Sequence, residues 1–435
     1  MARLMLRGRR GFTMLFFSRL SLRLAAHPVV RGISAYVGGE LVARLSRLAA
    51  VVVIARHVSP VMMGTAALCL SLFEIIRVLA NAGIGQRIVA ASDAELASVC
   101  NGADRLFRAW CPIVTLLQLG VAGGLAIAGQ REAATMLAVL STVYLMMPFG
   151  LVRVFLLMRD GRLGTTARIG SLQTITDHFL TAVLVLLAPG AWALVLPKLL
   201  TTPLWVLLVR RARSWRPAIA APMSARHFLR FGSGVIVGEL VTAARSQCDN
   251  LIIGALLGVN ALGTYYFAFG AGLGITYSFV SATQIVLFPF ICGASGAGRH
   301  QRFVQGAAVS AAILLPVVGT QILLAPLYVP LVFGAHWAMA APLVSLLGLA
   351  AFPLLLGAVA TARMRADGNA VADAGISTIA TLSALGGLAL GASQGLAIAV
   401  IGYVLGLTII LLPYFIWNLA NRPHARGSRI EEYVL

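Results

Sequence analysis

The sequence predicts an all-α polytopic membrane protein, with about twelve transmembrane helices arranged as two parallel six-helix bundles. Three observations predict it: an apolar composition, an internal repeat, and arginines confined to alternate connections.

Of the 435 residues, 59% are hydrophobic and 11% charged, against about half apolar and a quarter charged in a soluble domain. A net charge of +20 would suggest nucleic acid in a soluble protein. Basic and aromatic residues do not interleave here as they do on nucleic-acid surfaces, so no nucleic-acid partner is expected. The arginines are assigned instead to span ends that meet anionic membrane lipid.

The repeat sets Ser34–Thr65 over Ser233–Thr264 without a gap. Ser34, Gly39, Glu40, Leu41, Val42, Ile54, Gly64 and Thr65 match Ser233, Gly238, Glu239, Leu240, Val241, Ile253, Gly263 and Thr264. A shared Gly-Glu-Leu-Val and a shared Gly-Thr exit point to structural duplication.

Spans of about 20 mostly apolar residues fall near 33–55, 62–80, 110–128, 134–157, 166–187, 191–209, 232–256, 264–289, 305–326, 339–361, 371–390 and 395–418. The fifth and eleventh are the weakest, since both contain acids and many small polar residues. With the N-terminus cytoplasmic, the cytoplasmic segments and adjoining span ends hold 27 arginines, and the external loops hold only Arg56 and Arg131. A missed span would scramble this alternation, so the bias supports both the count and cytoplasmic termini.

The expected division is a basic cytoplasmic segment at 1–31, a first bundle at 32–209, a cytoplasmic linker at 210–230, a second bundle at 231–420 and a cytoplasmic tail at 421–435. Segment 1–31 has seven arginines and no acid; interleaved with Leu and Phe, it reads as amphipathic and lying on the membrane. Residues 81–110 read as a cytoplasmic connection and the entry to span three, with Asp93–Trp110 beginning as a short surface helix that has Ser92 as N-cap and Asp93 and Glu95 in its first turn. Gly272 and Gly274 suggest close helix contacts. Pro289 and Pro353 suggest kinks or helix ends.

Charges inside spans are costly and face a partner, a cavity or the protein interior. Glu40, Arg44 and Arg47 follow i, i+4, i+7 on one helical face. Glu74 and Arg77 are spaced i, i+3, and Arg245 and Asp249 i, i+4. Span seven also carries Glu239, span five Asp177 and His178, and span six Lys198, the single lysine. Two readings stand. These are ion pairs that fix helix register, or Arg44, Arg47, Arg77, Lys198 and Arg245 present cations to an anionic substrate in a cavity between the halves. Arginine suits a diphosphate because its planar fork bonds two oxygens. Glu40, Glu74, Asp177, Glu239 and Asp249 are then ion-pair partners or sites of proton coupling, with His178 a candidate relay.

Catalytic, cofactor and metal sites are not expected. Cys69, Cys100, Cys111, Cys248 and Cys292 form no CxxC and have no neighbouring histidine. There is no DxD, no phosphate-binding GxxxxGK[ST] loop and no HExxH, and the external loops are too short for a catalytic domain.

Ala55-Arg56-His57-Val58-Ser59-Pro60 with Gly64, then NAGIGQRIVA at 81–90, resembles the entry of Wzx-type polysaccharide-unit flippases. These form a branch of the multidrug/oligosaccharidyl-lipid/polysaccharide (MOP) exporter superfamily. DNLIIGALLGVNALGTYYFA at 249–268 resembles that family's span-seven exit at Asp249, Gly254, Gly258, Leu262, Gly263, Tyr265 and Ala268. APGAWALVL at 188–196 resembles its span-five to span-six corner. The resemblance implies a MOP/MATE-like fold around a cationic cavity. It implies alternating access and transfer of undecaprenyl-diphosphate-linked oligosaccharide to the periplasmic leaflet for surface polysaccharide, exopolysaccharide or O-antigen. Expected partners are that lipid-linked oligosaccharide, membrane lipids, and polymerase and chain-length proteins of the pathway. Only Asp249 is carried over as a motif residue.

A drug/cation exporter of the same superfamily would need an acid-rich cavity. The superfamily's peptidoglycan-precursor flippases typically have two further helices. Major-facilitator carriers would show Asp-Arg-x-Gly-Arg-Arg after span two, where this chain reads NAGIGQR. A membrane enzyme of the same pathway remains as the non-transport reading.

Overall fold

The computed structural model describes residues 46–81 and 83–421. Segment 1–31, Glu40 and Arg44, most of the first span and the tail after Asn421 lie outside them.

The described residues contain helices and no strand. In chain order, the first half has α1 (46–57), α2 (Pro60–Leu79), α3 (Ile84–Val89), α4 (Leu96–Ile127), α5 (Arg131–Leu140), α6 (Thr142–Met146), α7 (Pro148–Arg159), α8 (Leu163–Leu187) and α9 (Ala191–Ala212). The second half has α10 (Ala225–Ala271), α11 (Leu273–Cys292), α12 (Gly296–Tyr328), α13 (Ala341–Leu349), α14 (Ala351–Ala366), α15 (Ala370–Ala392) and α16 (Leu396–Ala420). Among the described residues nine helices are long and apolar enough to cross a membrane, or ten if the pair Arg131–Met146 and Pro148–Arg159, bent by 57°, is one span.

Chain chemistry explains where these helices depart from the expected spans. The fourth expected span bends at Pro148, which has no N–H to donate and crowds the carbonyl four residues back. The seventh and eighth are joined by a kink at Gly258, at φ 82°, a left-handed conformation that costs glycine little. The eighth is interrupted at Gly272, where a Cβ would lie 2.7 Å from the Val344 carbonyl oxygen; this is the close contact expected there. The tenth breaks at Ala350, three residues before Pro353. The segment to Trp110 does lead into the third span, but its helix starts at Leu96, with Glu95 and not Ser92 at the N-cap position, and runs on as 32 continuous helical residues, so no separate surface helix precedes the span.

The two halves meet along α2 and α10. Ser59 caps α2, its hydroxyl accepting from the Met62 amide at 3.4 Å, with Pro60 in the first turn. The repeat places the Ser59 break opposite the Gly258 kink, so both halves turn at the same register.

The bundle ends are held by polar groups crossing between halves. At one end Trp337 is 1% exposed, stacks on Phe267 with centroids 4.0 Å apart, and donates from Nε1 to the Ala55 carbonyl at 2.7 Å. Beside it Arg56 donates to the carbonyls of Val332 at 2.8 Å and Leu331 at 3.0 Å. At the other end residues 213–224 are non-helical and lie on α4. The Met223 amide donates to Ser98 O at 3.0 Å, and the Asn101 amide to Ala218 and Ala220.

Candidate functional site

A cavity of about 410 Å³ lies where the halves meet. Arg47, Ala50, Val51 and Ile54 line it from α1. Their i, i+3, i+4, i+7 spacing is one helical face. Ser71 and Glu74 enter from α2, Asp177 and His178 from α8, Lys198 from α9, and Gln247, Asp249 and Asn250 from α10. A second cavity of about 380 Å³ lies within the first half and shares Glu74, Asp177 and Lys198 with the first.

Hydrogen bonds tie these helices together at the level of the charges. Lys198 Nζ donates to Asp177 Oδ2 at 2.9 Å, joining α9 to α8. Ser46 Oγ and His178 Nδ1, 2.9 Å apart, join α1 to α8. Asn250 Nδ2 donates to Ser71 Oγ at 3.1 Å across the two halves. Tyr265 donates its hydroxyl to Asp249 Oδ2 at 2.8 Å within α10. The remaining oxygens, Asp177 Oδ1 and Asp249 Oδ1, are buried without a protein partner. Such acceptors are costly to leave unmet, which marks them as the points where the cavity can bind.

Of the residues singled out from sequence, Arg47, Glu74, Asp177, Lys198 and Asp249 come together in the central cavity. Arg77 lines the second cavity and pairs with Glu74 at 2.7 Å. Glu239 and Arg245 are exposed and line neither; Arg245 makes no ion pair with Asp249, whose carboxylate is taken by Tyr265. Glu40 and Arg44 fall outside the described residues.

The charge balance differs from a uniformly cationic lining. Among the described residues the central cavity has two cations, Arg47 and Lys198, and three carboxylates, Glu74, Asp177 and Asp249. Lys198 is engaged by Asp177. Arg47 is the cation without a carboxylate partner among the described residues. It reaches toward the second half, where a Cβ on Gly274 would lie 3.8 Å from its Nη2.

Ser46, Ser71 and Asn250 also build the site, and sequence reasoning passed over them. The available signal was a polar residue on the cavity face of an otherwise apolar helix, but serines are common in such helices as backbone-bonded groups.

A helical membrane protein of two halves, closed on each other around a polar cavity, defines the architectural class. The structure of an inward-facing MATE-family multidrug resistance transporter of the MOP superfamily superposes with a TM-score of 0.65 at 17% identity, covering 86% of this chain and 93% of that one. The lipid II flippase MurJ in an inward closed conformation superposes with a TM-score of 0.72 at 13% identity, covering 89% and 87%. The fold is therefore MOP-like. In sequence, the family described as "Polysaccharide biosynthesis protein" matches residues 53–342, and the chain belongs to that family. It is 26% identical over 317 residues to the succinoglycan biosynthesis transport protein ExoT of Rhizobium meliloti (strain 1021), covering 68% of this chain and 61% of the relative. It is 22% identical over 295 residues to the teichuronic acid biosynthesis protein TuaB of Bacillus subtilis (strain 168), covering 64% and 60%. The chain thus spans about three fifths of the length of these relatives.

Proposed function

We propose that the chain is a flippase that moves undecaprenyl-diphosphate-linked oligosaccharide units from the cytoplasmic to the periplasmic leaflet for surface polysaccharide synthesis. The observation that carries this reading is Arg47. It is a guanidinium without a carboxylate partner among the described residues, at the junction of two halves in a polysaccharide-biosynthesis family. A diphosphate offers it the bidentate acceptor that the cavity's own acids do not. Both termini are placed in the cytoplasm of a bacterial inner membrane, because arginine concentrates on that side.

In this reading, transport alternates between two arrangements of the halves. The contacts of Trp337 with Ala55 and of Arg56 with Leu331 and Val332 close the periplasmic end, and they must break for release there. Asp177 and Asp249 are the carboxylates placed to couple this change to a cation gradient.

The three carboxylates of the central cavity favour a second reading, a MATE-like exporter of small cationic molecules. Complementation separates the two. In the source organism lacking the gene, wild type should restore surface polymer and clear lipid-linked units from the cytoplasmic leaflet. Arg47→Ala at equal protein level should let those units accumulate, and Arg47→Lys should report whether charge alone suffices. Unchanged polymer on deletion, with loss of resistance to cationic compounds, would establish the exporter instead.

A further inference from the structure

We infer that the 380 Å³ cavity of the first half is a saccharide subsite, holding the neutral sugar portion of the substrate while Arg47 holds the diphosphate. This rests on the flippase reading above. The volume lies within the range of small-ligand sites, about 300–1,000 Å³.

The charges of this cavity cancel internally. Arg77 is paired with Glu74 at 2.7 Å and Lys198 with Asp177 at 2.9 Å, and all four line it. A phosphate here would have to compete with carboxylates already in place, whereas an uncharged polyol would not.

Its remaining polar groups are the kind that read hydroxyls. Asn81 Oδ1 is buried without a protein partner. Gln173 and Thr174 line the cavity one turn before Asp177, and among the described residues no hydrogen bond engages their side chains. Thr202 donates to Lys198 O at 2.8 Å and so turns acceptor lone pairs to the ligand. Apolar side chains of α6 and α7 complete the lining with the half-buried Trp205, which stands one turn after Thr202 on α9. Its ring is braced by Gly150, where a Cβ would lie 2.5 Å from the indole, and its indole N–H has no acceptor among the described residues. Amide and hydroxyl groups lining one cavity with an aromatic plate fit the two features of a sugar ring, its hydroxyl rim and its C–H face.

The two cavities share Glu74, Asp177 and Lys198, so one ligand can occupy both. A lipid-linked sugar has the required order, with the diphosphate on the lipid side and the saccharide beyond it.

The test uses the purified full chain in nanodiscs and two probes. One is undecaprenyl diphosphate; the other is the lipid-linked oligosaccharide pool extracted from the source organism lacking this gene. Wild type should bind the glycosylated lipid at least about tenfold more tightly. Gln173→Ala and Trp205→Phe should each remove about threefold to tenfold of that advantage, one hydrogen bond's worth, while leaving the dissociation constant for undecaprenyl diphosphate and the unfolding midpoint unchanged. Arg47→Ala should weaken both probes. Equal wild-type affinity for the two probes, or variants that weaken both alike, overturns the subsite and leaves the flippase reading standing. Binding of neither probe by wild type overturns the flippase reading and the subsite with it.

Discussion

Gly64 on α2 and Gly263 on α10, matched by the internal repeat, lie against each other where the halves meet. A Cβ on Gly64 would strike the Val259 carbonyl oxygen and lie 2.8 Å from Gly263 N; a Cβ on Gly263 would strike the Pro60 carbonyl oxygen and lie 2.8 Å from Gly64 N. Pro60 and Val259 are themselves repeat partners. The contact is reciprocal, as a pseudo-two-fold axis requires, and the duplication read from sequence is also a duplication in space.

Gly64→Ala and Gly263→Ala should therefore each force the halves apart. Backbone atoms leave no side chain to yield, so the cost should reach the overpacking range of about 1–3 kcal/mol. Thermal unfolding in detergent should show a lower midpoint for both. Gly120→Ala, where a Cβ meets nothing within 4 Å, should be neutral or stabilising. Unchanged midpoints for both seam variants would refute the packing described.

The Trp337 contact gives a second prediction, about conformation. Trp337→Phe keeps an aromatic ring against Phe267 but loses the hydrogen bond to Ala55 O, worth about 0.5–1.5 kcal/mol. The open population at that end should rise by roughly twofold to tenfold, since 1.4 kcal/mol is a factor of ten. The labelling rate of a cysteine introduced at Ala50, which lines the central cavity and is 4% exposed, by an impermeant maleimide added from the periplasmic side reads this out, with Met339→Phe as a control at an exposed position. No rise would mean that the bond does not hold this end closed.

Lys198→Ala should be more damaging than Asp177→Asn. It strands a carboxylate whose Oδ1 already lacks a protein partner, whereas the asparagine leaves a lysine that is 37% exposed and can reach water. Breaking a fully buried pair costs about 3–5 kcal/mol. With Lys198 this exposed the loss should be smaller, about 1–3 kcal/mol. Unfolding midpoints of both singles and of Asp177→Asn/Lys198→Ala give the coupling, and additive losses would show that the pair does not interact.

Hydropathy made the span positions legible because lipid leaves a helix few alternatives. The breaks at Pro148 and Gly258 were harder to place. A proline or glycine announces a permitted distortion, and whether it is used depends on neighbours far along the chain. The site was legible in part for a similar reason. Asp177 and Asp249 are legible as site residues because a buried carboxylate must be met by another group, Lys198 for the one and Tyr265 for the other, whereas the exposed Arg47 shares their cavity without a carboxylate partner among the described residues. Arg245 stands one turn from Asp249 yet lines neither cavity, and helical spacing alone does not say where a cavity wall ends. The Asn250–Ser71 bond across the halves was illegible, because neither residue signals a partner 179 positions away.

The connection after α2 carries a pH dependence that can be assigned a sign. Glu95 Oε1 accepts from the Ser92 amide at 2.9 Å, closing the turn that precedes Leu96, and Oε2 accepts from Arg87 at 2.9 Å. The Ser92 bond first, and the Arg87 bond after it, hold the Glu95 carboxyl below the ordinary carboxylate range. A lowered folded-state value means that this contribution is fully present above the ordinary value, about 4.3, and is lost as pH falls through the folded one. Arg159 also donates to the carbonyls of Val89 and Ala91, bonds that acid does not titrate, so the loss should be local and leave the bundle folded. Hydrogen exchange of residues 84–100, corrected for the intrinsic pH dependence of exchange, should therefore accelerate selectively on acidification. Glu95→Gln should remove that acid response and raise exchange in this segment at neutral pH. A wild-type segment whose corrected exchange is flat from neutral pH to below the ordinary carboxylate value would show that Glu95 does not anchor it.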